Sequence, residues 1–231
     1  MAYMRSEWVM HIQTHNDRVF TVPGFLSPEE CTEVIALAEQ SGFDAATVRL
    51  EAGQQLLAHI RNNERTMVAS AAWVDRLWAR LRQLPLPELD GARAVGLPRA
   101  LRFYKYTAGQ RFRMHKDGPW REDGLVSRLS FLVYLNEGFE GGETGFRDFA
   151  VRPKTGGALV FVHDTWHEGA PVTSGTKYVL RSDVMYAPKV DATESRFDSK
   201  YDSGYDSRYD SRFDSTFGGG QGGGNGGGDR S

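Results

Sequence analysis

Two spacings of apolar residues divide the chain. Ser27-Pro28-Glu29-Glu30 sets a helix start, with Ser27 as N-cap, Pro28 at the first helical position and Glu30 three residues on. Cys31, Val34, Ile35 and Ala38 then recur on one side. Trp73, Val74, Leu77, Trp78 and Leu81 repeat the pattern and predict a helix over 71–84, ended by Pro85 and Pro87. From about residue 99 the period falls to two. ALRFYKY, LVSRLSFLVYLN, GALVFVH and KYVLRSDVMY read as short strands separated by Gly- and Pro-rich turns. Alternation puts Arg102, Tyr104 and Tyr106 on one face, and likewise Arg128, Ser130, Leu132 and Tyr134, and Lys177, Val179 and Arg181. Phe131, Val133 and Leu135 line an opposite, apolar face, as do Tyr178, Leu180 and Val184. Helices followed by serial strands predict an α+β chain with an all-β core, a sandwich or barrel.

Past residue 190 the pattern is lost. Residues 191–231 carry a four-residue repeat, SRFD SKYD SGYD SRYD SRFD, with aromatics from Phe197 to Phe217, and then nine glycines between Gly218 and Gly228. No aliphatic residue supports a core there, so this segment is expected to be a disordered tail able to make weak protein contacts. Residues 1–190 are expected to form one domain.

Composition narrows the function. Among 231 residues, 28 Lys and Arg against 30 Asp and Glu exclude the basic excess of a general nucleic-acid binder. A hydrophobic content of 40% supplies a core. No apolar run is long enough to span a membrane, and the N-terminus lacks the apolar stretch of an export signal. With Cys31 as the single cysteine, no disulfide framework forms. The expectation is a cytoplasmic protein without membrane or nucleic-acid partners, with Cys31 as a small core residue.

The candidate chemistry lies among the strands. In His115-Lys116-Asp117 an extended backbone turns the imidazole and the carboxylate to one side. His167, in HDTWHEGAPV, is a candidate third ligand. Two histidines and a carboxylate on one face of an octahedron leave positions open, an arrangement suited to non-haem Fe(II). Faces mixing cations with phenols around such a triad favour a polar-lined cavity, suited to a dicarboxylate. The segment Gly138–Phe146, with Gly141-Gly142-Glu143-Thr144, reads as a tight connection. Arg61-Asn62-Asn63-Glu64-Arg65 reads equally as a polar loop or a lip over the site.

YTAGQRFRMHKD, RLSFLVYLNEGFEGGETGF, VRPKTGGALVF and HEGAPVTSGTKYVLRSDVMY, preceded by FLSPEEC, resemble in order and spacing the prolyl 4-hydroxylase branch of the Fe(II)/2-oxoglutarate dioxygenases. The resemblance spans most of residues 20–188. It implies a double-stranded β-helix (jelly-roll) core over about 99–188 with flanking N-terminal helices. It implies Fe(2+), 2-oxoglutarate and O2, with ascorbate as reductant of oxidised iron. It implies His115, Asp117 and His167 as metal ligands, Lys177 as partner of the C5 carboxylate of 2-oxoglutarate, Tyr134 assisting it, and Tyr106 near metal and cosubstrate. Arg181 competes with Lys177 for that carboxylate, and Arg128 and Arg181 are candidate substrate contacts. His163 is a rival third ligand, but it lacks the following Gly-Ala-Pro-Val and is expected to be structural. The implied activity is C–H hydroxylation of a peptidyl, prolyl-type side chain, with release of succinate and CO2. The alternatives are a free amino acid or small metabolite as substrate, and an interaction module working through the aromatic tail.

Overall fold

The computed structural model describes residues 11–46, 48–50, 53–55 and 59–187. The expected tail over 191–231 lies outside them. Strands β1 (Gln13–Asn16) and β2 (Val19–Val22) precede helix α1 (Pro28–Ser41). Then come β3 (Asp44–Ala45), β4 (Val48–Leu50), β5 (Gly53–Gln55), β6 (Glu64–Ala69) and helix α2 (Ala71–Leu81). The remaining strands are β7 (Arg93–Gly96), β8 (Ala100–Tyr106), β9 (Phe112–His115), β10 (Arg121–Glu122), β11 (Leu125–Tyr134) and β12 (Glu140–Gly141). They continue as β13 (Thr144–Phe146), β14 (Ala150–Val151), β15 (Ala158–Val162), β16 (His167–Gly169), β17 (Val172–Ser174) and β18 (Lys177–Ala187). The described residues are thus mostly β.

The larger sheet runs β1-β2-β15-β11-β18-β8-β6-β3, and a smaller one runs β14-β13-β16-β9. Period-two alternation sends successive side chains of the large sheet to opposite layers. Leu101, Phe103, Phe131, Val133, Leu180 and Val184 enter one core with Cys31, Val34 and Ala38 of α1 and Trp73, Leu77 and Leu81 of α2. Tyr104, Tyr106, Tyr134, Leu159, Phe161 and Val179 enter a second core with Phe146 and Val151 of the small sheet. The helices therefore cover one face of the large sheet and the small sheet covers the other. Two facing sheets are consistent with the expected jelly roll.

Both helix starts follow their capping residues. Ser27 Oγ accepts from the Glu30 N–H at 3.2 Å, and the Glu30 carboxylate accepts from the Ser27 N–H at 2.9 Å, closing a capping box. The same carboxylate accepts two bonds from Arg80 of α2, at 2.8 and 2.7 Å, which ties the helices together. Helix α2 ends at Leu81, three residues before the expected Leu84. Its last turn tightens, with Gln83 N–H on Arg80 and Leu84 N–H on Leu81, because Pro85 disfavours helical backbone in the residue before it. Cys31 is buried, and burial pushes its thiol up to about 11. Among the described residues no helix is long and apolar enough to cross a membrane.

Candidate active site

Between the sheets lies a cavity of about 390 Å³, with His115, Asp117, His167, Lys177, Arg181 and Tyr104 among its lining residues. His115 ends β9, His167 begins β16, and the two are register partners across that antiparallel pair. Asp117 lies two residues past the end of β9, where its N–H donates to the His163 carbonyl at 3.1 Å. One donor atom from each of the three residues falls within 4.8 Å of the others.

Main-chain contacts fix both rings. His115 Nδ1 lies 2.7 Å from the Arg113 carbonyl and His167 Nδ1 lies 2.9 Å from the Thr165 carbonyl. A carbonyl only accepts, so Nδ1 carries the proton and each Nε2 presents a lone pair. Those Nε2 atoms stand 3.6 and 3.5 Å from the two carboxylate oxygens of Asp117. Burial pushes His167 down to about 4, against the pull of Asp117, so its ring is neutral at physiological pH. Burial also opposes the Asp117 charge, but the Arg181 guanidinium at 2.8 Å holds its carboxyl well below the usual range.

A hydrogen-bond chain supports the carboxylate from behind. The Trp120 N–H donates to Ser127 Oγ at 2.7 Å, which leaves the Ser127 hydroxyl proton for His163 Nε2 at 2.8 Å. His163 Nδ1 then donates to Ser130 Oγ at 2.9 Å, and Ser130 donates to Asp117. Every donor in this chain meets an acceptor only when His163 is neutral, in keeping with its burial-lowered pKa. His163 thus stands behind the triad.

Lys177 occupies another part of the cavity. Its Nζ donates to the Gly142 carbonyl at 2.6 Å and lies 5.3 and 5.5 Å from the ring centres of Tyr106 and Tyr134. Burial lowers its ammonium to about 8, with Glu143 opposing. Tyr134 shares a hydrogen bond of 2.7 Å with Thr144 Oγ1. Arg181, four residues along β18, is already engaged by Asp117, by Asp183 at 3.4 Å and by the Tyr104 hydroxyl at 3.4 Å.

The 2OG-Fe(II) oxygenase superfamily model matches residues 101–182, a span that contains His115, Asp117, His167, Lys177 and Arg181. Over that span the chain is similar to this superfamily. The oxygenase is 27% identical over 186 residues to a protein of Acanthamoeba polyphaga mimivirus assigned by name to the prolyl 4-hydroxylases, covering 71% of this chain and 72% of that one. It is 24% identical over 200 residues to an Arabidopsis thaliana protein assigned likewise, covering 70% and 67%. In fold it is similar to the viral collagen prolyl hydroxylase of Paramecium Bursaria Chlorella virus-1, at TM-score 0.55 and 24% identity over 74% of this chain and 97% of that one. It is similar as well to a prolyl hydroxylase of Trichoplax adhaerens solved with a peptide of hypoxia inducible factor, at TM-score 0.59 and 18% identity over 73% and 84%. The oxygenase is a prolyl 4-hydroxylase-like dioxygenase that uses Fe(2+), 2-oxoglutarate and O2.

The cavity fits these groups. Two lone-pair nitrogens and an ionised carboxylate converging on one point suit ferrous iron. A buried lysine that makes no ion pair among the described residues suits the far end of a dicarboxylate.

Of the predicted residues, His115, Asp117, His167, Lys177, Tyr106 and Arg181 line the cavity, and Tyr134 packs beneath Lys177. Arg128 does not join them. The β11–β18 register shifts between Ser127 and Leu129, which puts Ser127 on the inner side and turns Arg128 to an ion pair with Asp90 at 2.5 Å. Thr144 and Gly142, inside a segment expected to be only a connection, reach Tyr134 and Lys177. The alternation of Thr144 with Phe146 is the signal that marks Thr144 as inward. Arg61, Arg65, Arg102 and Trp120 also line the cavity.

Proposed function

We propose that the oxygenase hydroxylates a prolyl-type side chain of a peptide, converting 2-oxoglutarate to succinate and CO2. The observation that carries this reading is the joint occupation of one cavity by the His115–Asp117–His167 cluster and a buried Lys177 that makes no ion pair among the described residues. The names of the similar proteins supply the substrate class.

Ferrous iron with 2-oxoglutarate and O2 supplies the oxidising power: one oxygen atom goes to the substrate C–H and the other to succinate. The residues of the chain do the positioning. His115 and His167 would hold the metal through Nε2 and Asp117 through a carboxylate oxygen. Arg181 keeps Asp117 ionised, and Ser130 fixes its orientation. Lys177 pairs with the C5 carboxylate of 2-oxoglutarate, with Tyr134 and Thr144 beside it. The engagement of Arg181 by Asp117 and Asp183 supports Lys177 over Arg181 for this role. Leu132 and Val179 give the cavity wall an apolar surface that excludes water from the reacting carbon.

The test is succinate formation coupled to peptide oxidation, screened over proline-containing peptides and free amino acids. The expected result is a gain of one oxygen atom on the peptide, matched by succinate and lost in His115→Ala. Succinate formed equally without any peptide, or oxidation surviving in His115→Ala, would contradict the reading.

A further inference from the structure

The cavity holds more positive charge than the metal and cosubstrate use. Arg102 pairs with Asp183, Arg181 with Asp117 and Asp183, and Lys177 is assigned to 2-oxoglutarate. Two further arginines, Arg61 and Arg65, line the same cavity, and among the described residues neither has a carboxylate within ion-pair distance. Arg61 is only 5% exposed. Its guanidinium is held rigidly, with Nε donating to Asn63 Oδ1 at 2.7 Å and Cζ lying 4.2 Å from the Tyr104 ring centre and 4.5 Å from that of Phe112. Its Nη2 is buried and makes no hydrogen bond. A buried guanidinium without a counter-charge is costly to maintain, and here it is fixed in place by two rings and an amide.

Its place in the fold ties it to the reaction. Arg61 bridges Phe112 at the edge of β9, the Arg113 N–H donates to the Ile60 carbonyl at 3.0 Å, and Phe112 stacks on His115 with centroids 3.6 Å apart. Arg65 pairs with Tyr104 in the β6–β8 ladder, on the rung between Tyr106–Lys177 and Arg102–Arg181. The two arginines therefore flank the metal cluster from the β6 side, apart from Lys177. The local excess of charge is visible on Tyr104, whose burial is outweighed by Arg181, Arg61 and Arg102 so that its phenol falls to about 7.

We propose that Arg61 and Arg65 form a carboxylate subsite for the substrate, so that the compound oxidised carries an anionic group beside its reacting carbon. The proposal rests on the oxygenase reading of the site and narrows its substrate class. A carboxylate of this kind comes from an acidic residue flanking proline in a peptide, or from the α-carboxylate of a free amino acid.

The test uses the full chain with Fe(II) and 2-oxoglutarate. Paired peptides, identical except for Asp or Asn next to proline, are compared by succinate-coupled turnover and by anaerobic binding, and free proline is compared with prolinamide. The expected result is a preference of about tenfold or more for the charged member of one pair, the scale of a charge-assisted hydrogen bond. The responding pair names the source of the carboxylate. The preference should disappear in Arg61→Gln and shrink in Arg65→Gln, with the KM for 2-oxoglutarate unchanged and Arg61→Lys restoring part of it. Arg65 is less buried than Arg61, so Arg65→Gln carries the test if Arg61→Gln does not fold.

Equal binding of charged and neutral members in the unaltered protein would overturn the proposal. So would an arginine variant that raises the KM for 2-oxoglutarate while leaving the preference intact. If only non-prolyl acids bind and react, with dependence on Arg61, the subsite stands and the prolyl reading falls. If neutral prolyl peptides react as well as acidic ones, the prolyl reading stands and the subsite falls.

Discussion

His115 and His167 face each other across adjacent antiparallel strands, their ring centroids 4.2 Å apart, so one rung of the small sheet sets the separation of two metal-binding nitrogens. The chain between them, which includes β11 and β15 of the large sheet, only has to bring that rung together. His167→Ala is therefore expected to lower iron affinity by about a hundredfold or more, beyond what removal of a supporting residue does. The thermal transition should stay close to that of the parent protein. Bound iron after gel filtration, alongside a melting curve, checks both halves.

Ser130 joins Asp117 to His163, and its hydroxyl oxygen also accepts from the Arg181 guanidinium at 3.5 Å. Ser130→Ala leaves the carboxylate ionised by Arg181 but removes the hydroxyl that orients it. A loss of about tenfold to a hundredfold in metal affinity is expected, with little change in the KM for 2-oxoglutarate. A metal titration followed by a kinetic titration of the cosubstrate separates the two effects.

Lys177→Ala should raise the KM for 2-oxoglutarate sharply while leaving iron binding in place, whereas Arg181→Gln should weaken iron binding first. If Arg181→Gln instead gives the large cosubstrate effect, the two cations have exchanged roles.

Lys177 also predicts a pH dependence. The free enzyme's ammonium titrates near pH 8, and a carboxylate binds only its charged form. Affinity for 2-oxoglutarate is thus full below that pH. Above it, affinity falls by about tenfold per pH unit, until the higher pKa of the bound state is reached. Anaerobic binding measured from pH 6.5 to 9.5 tests the sign, and an affinity that rises with pH would contradict it.

Gly156 tests the frame that holds the site. It lies at φ +75, a Cβ there would stand 2.0 Å from the Leu26 carbonyl oxygen, and its own carbonyl accepts the Leu26 N–H at 3.0 Å. Gly156→Ala is expected to destabilise by more than about 1 kcal/mol, because an alanine meets both an unfavourable backbone region and fixed main-chain atoms. Urea unfolding measures it.

The site was legible where the ladder is regular. Plain alternation along β18 puts Lys177, Val179 and Arg181 on the cavity side, and along β8 it does the same for Arg102, Tyr104 and Tyr106. It fails at Arg128 because one irregular step in the pairing reverses the face, and nothing in the letters Val-Ser-Arg-Leu marks that step. Arg61 was legible only as one of two equal readings, a polar loop or a lip over the site, because what brings it to the cavity is a bridge to Phe112, far along the chain. The first helix was marked by its cap and the second by its apolar spacing and the prolines after it, and only the tightened last turn of α2 escaped.

The triad and the lysine belong to different layers of the sandwich. His115 and His167 come from the small sheet, with Asp117 just past its edge, and Lys177 comes from the large one, which the helices brace from behind. Warming that pries the layers apart would disable the enzyme while the helical backing is still intact. Inactivation should therefore precede the loss of helical circular dichroism.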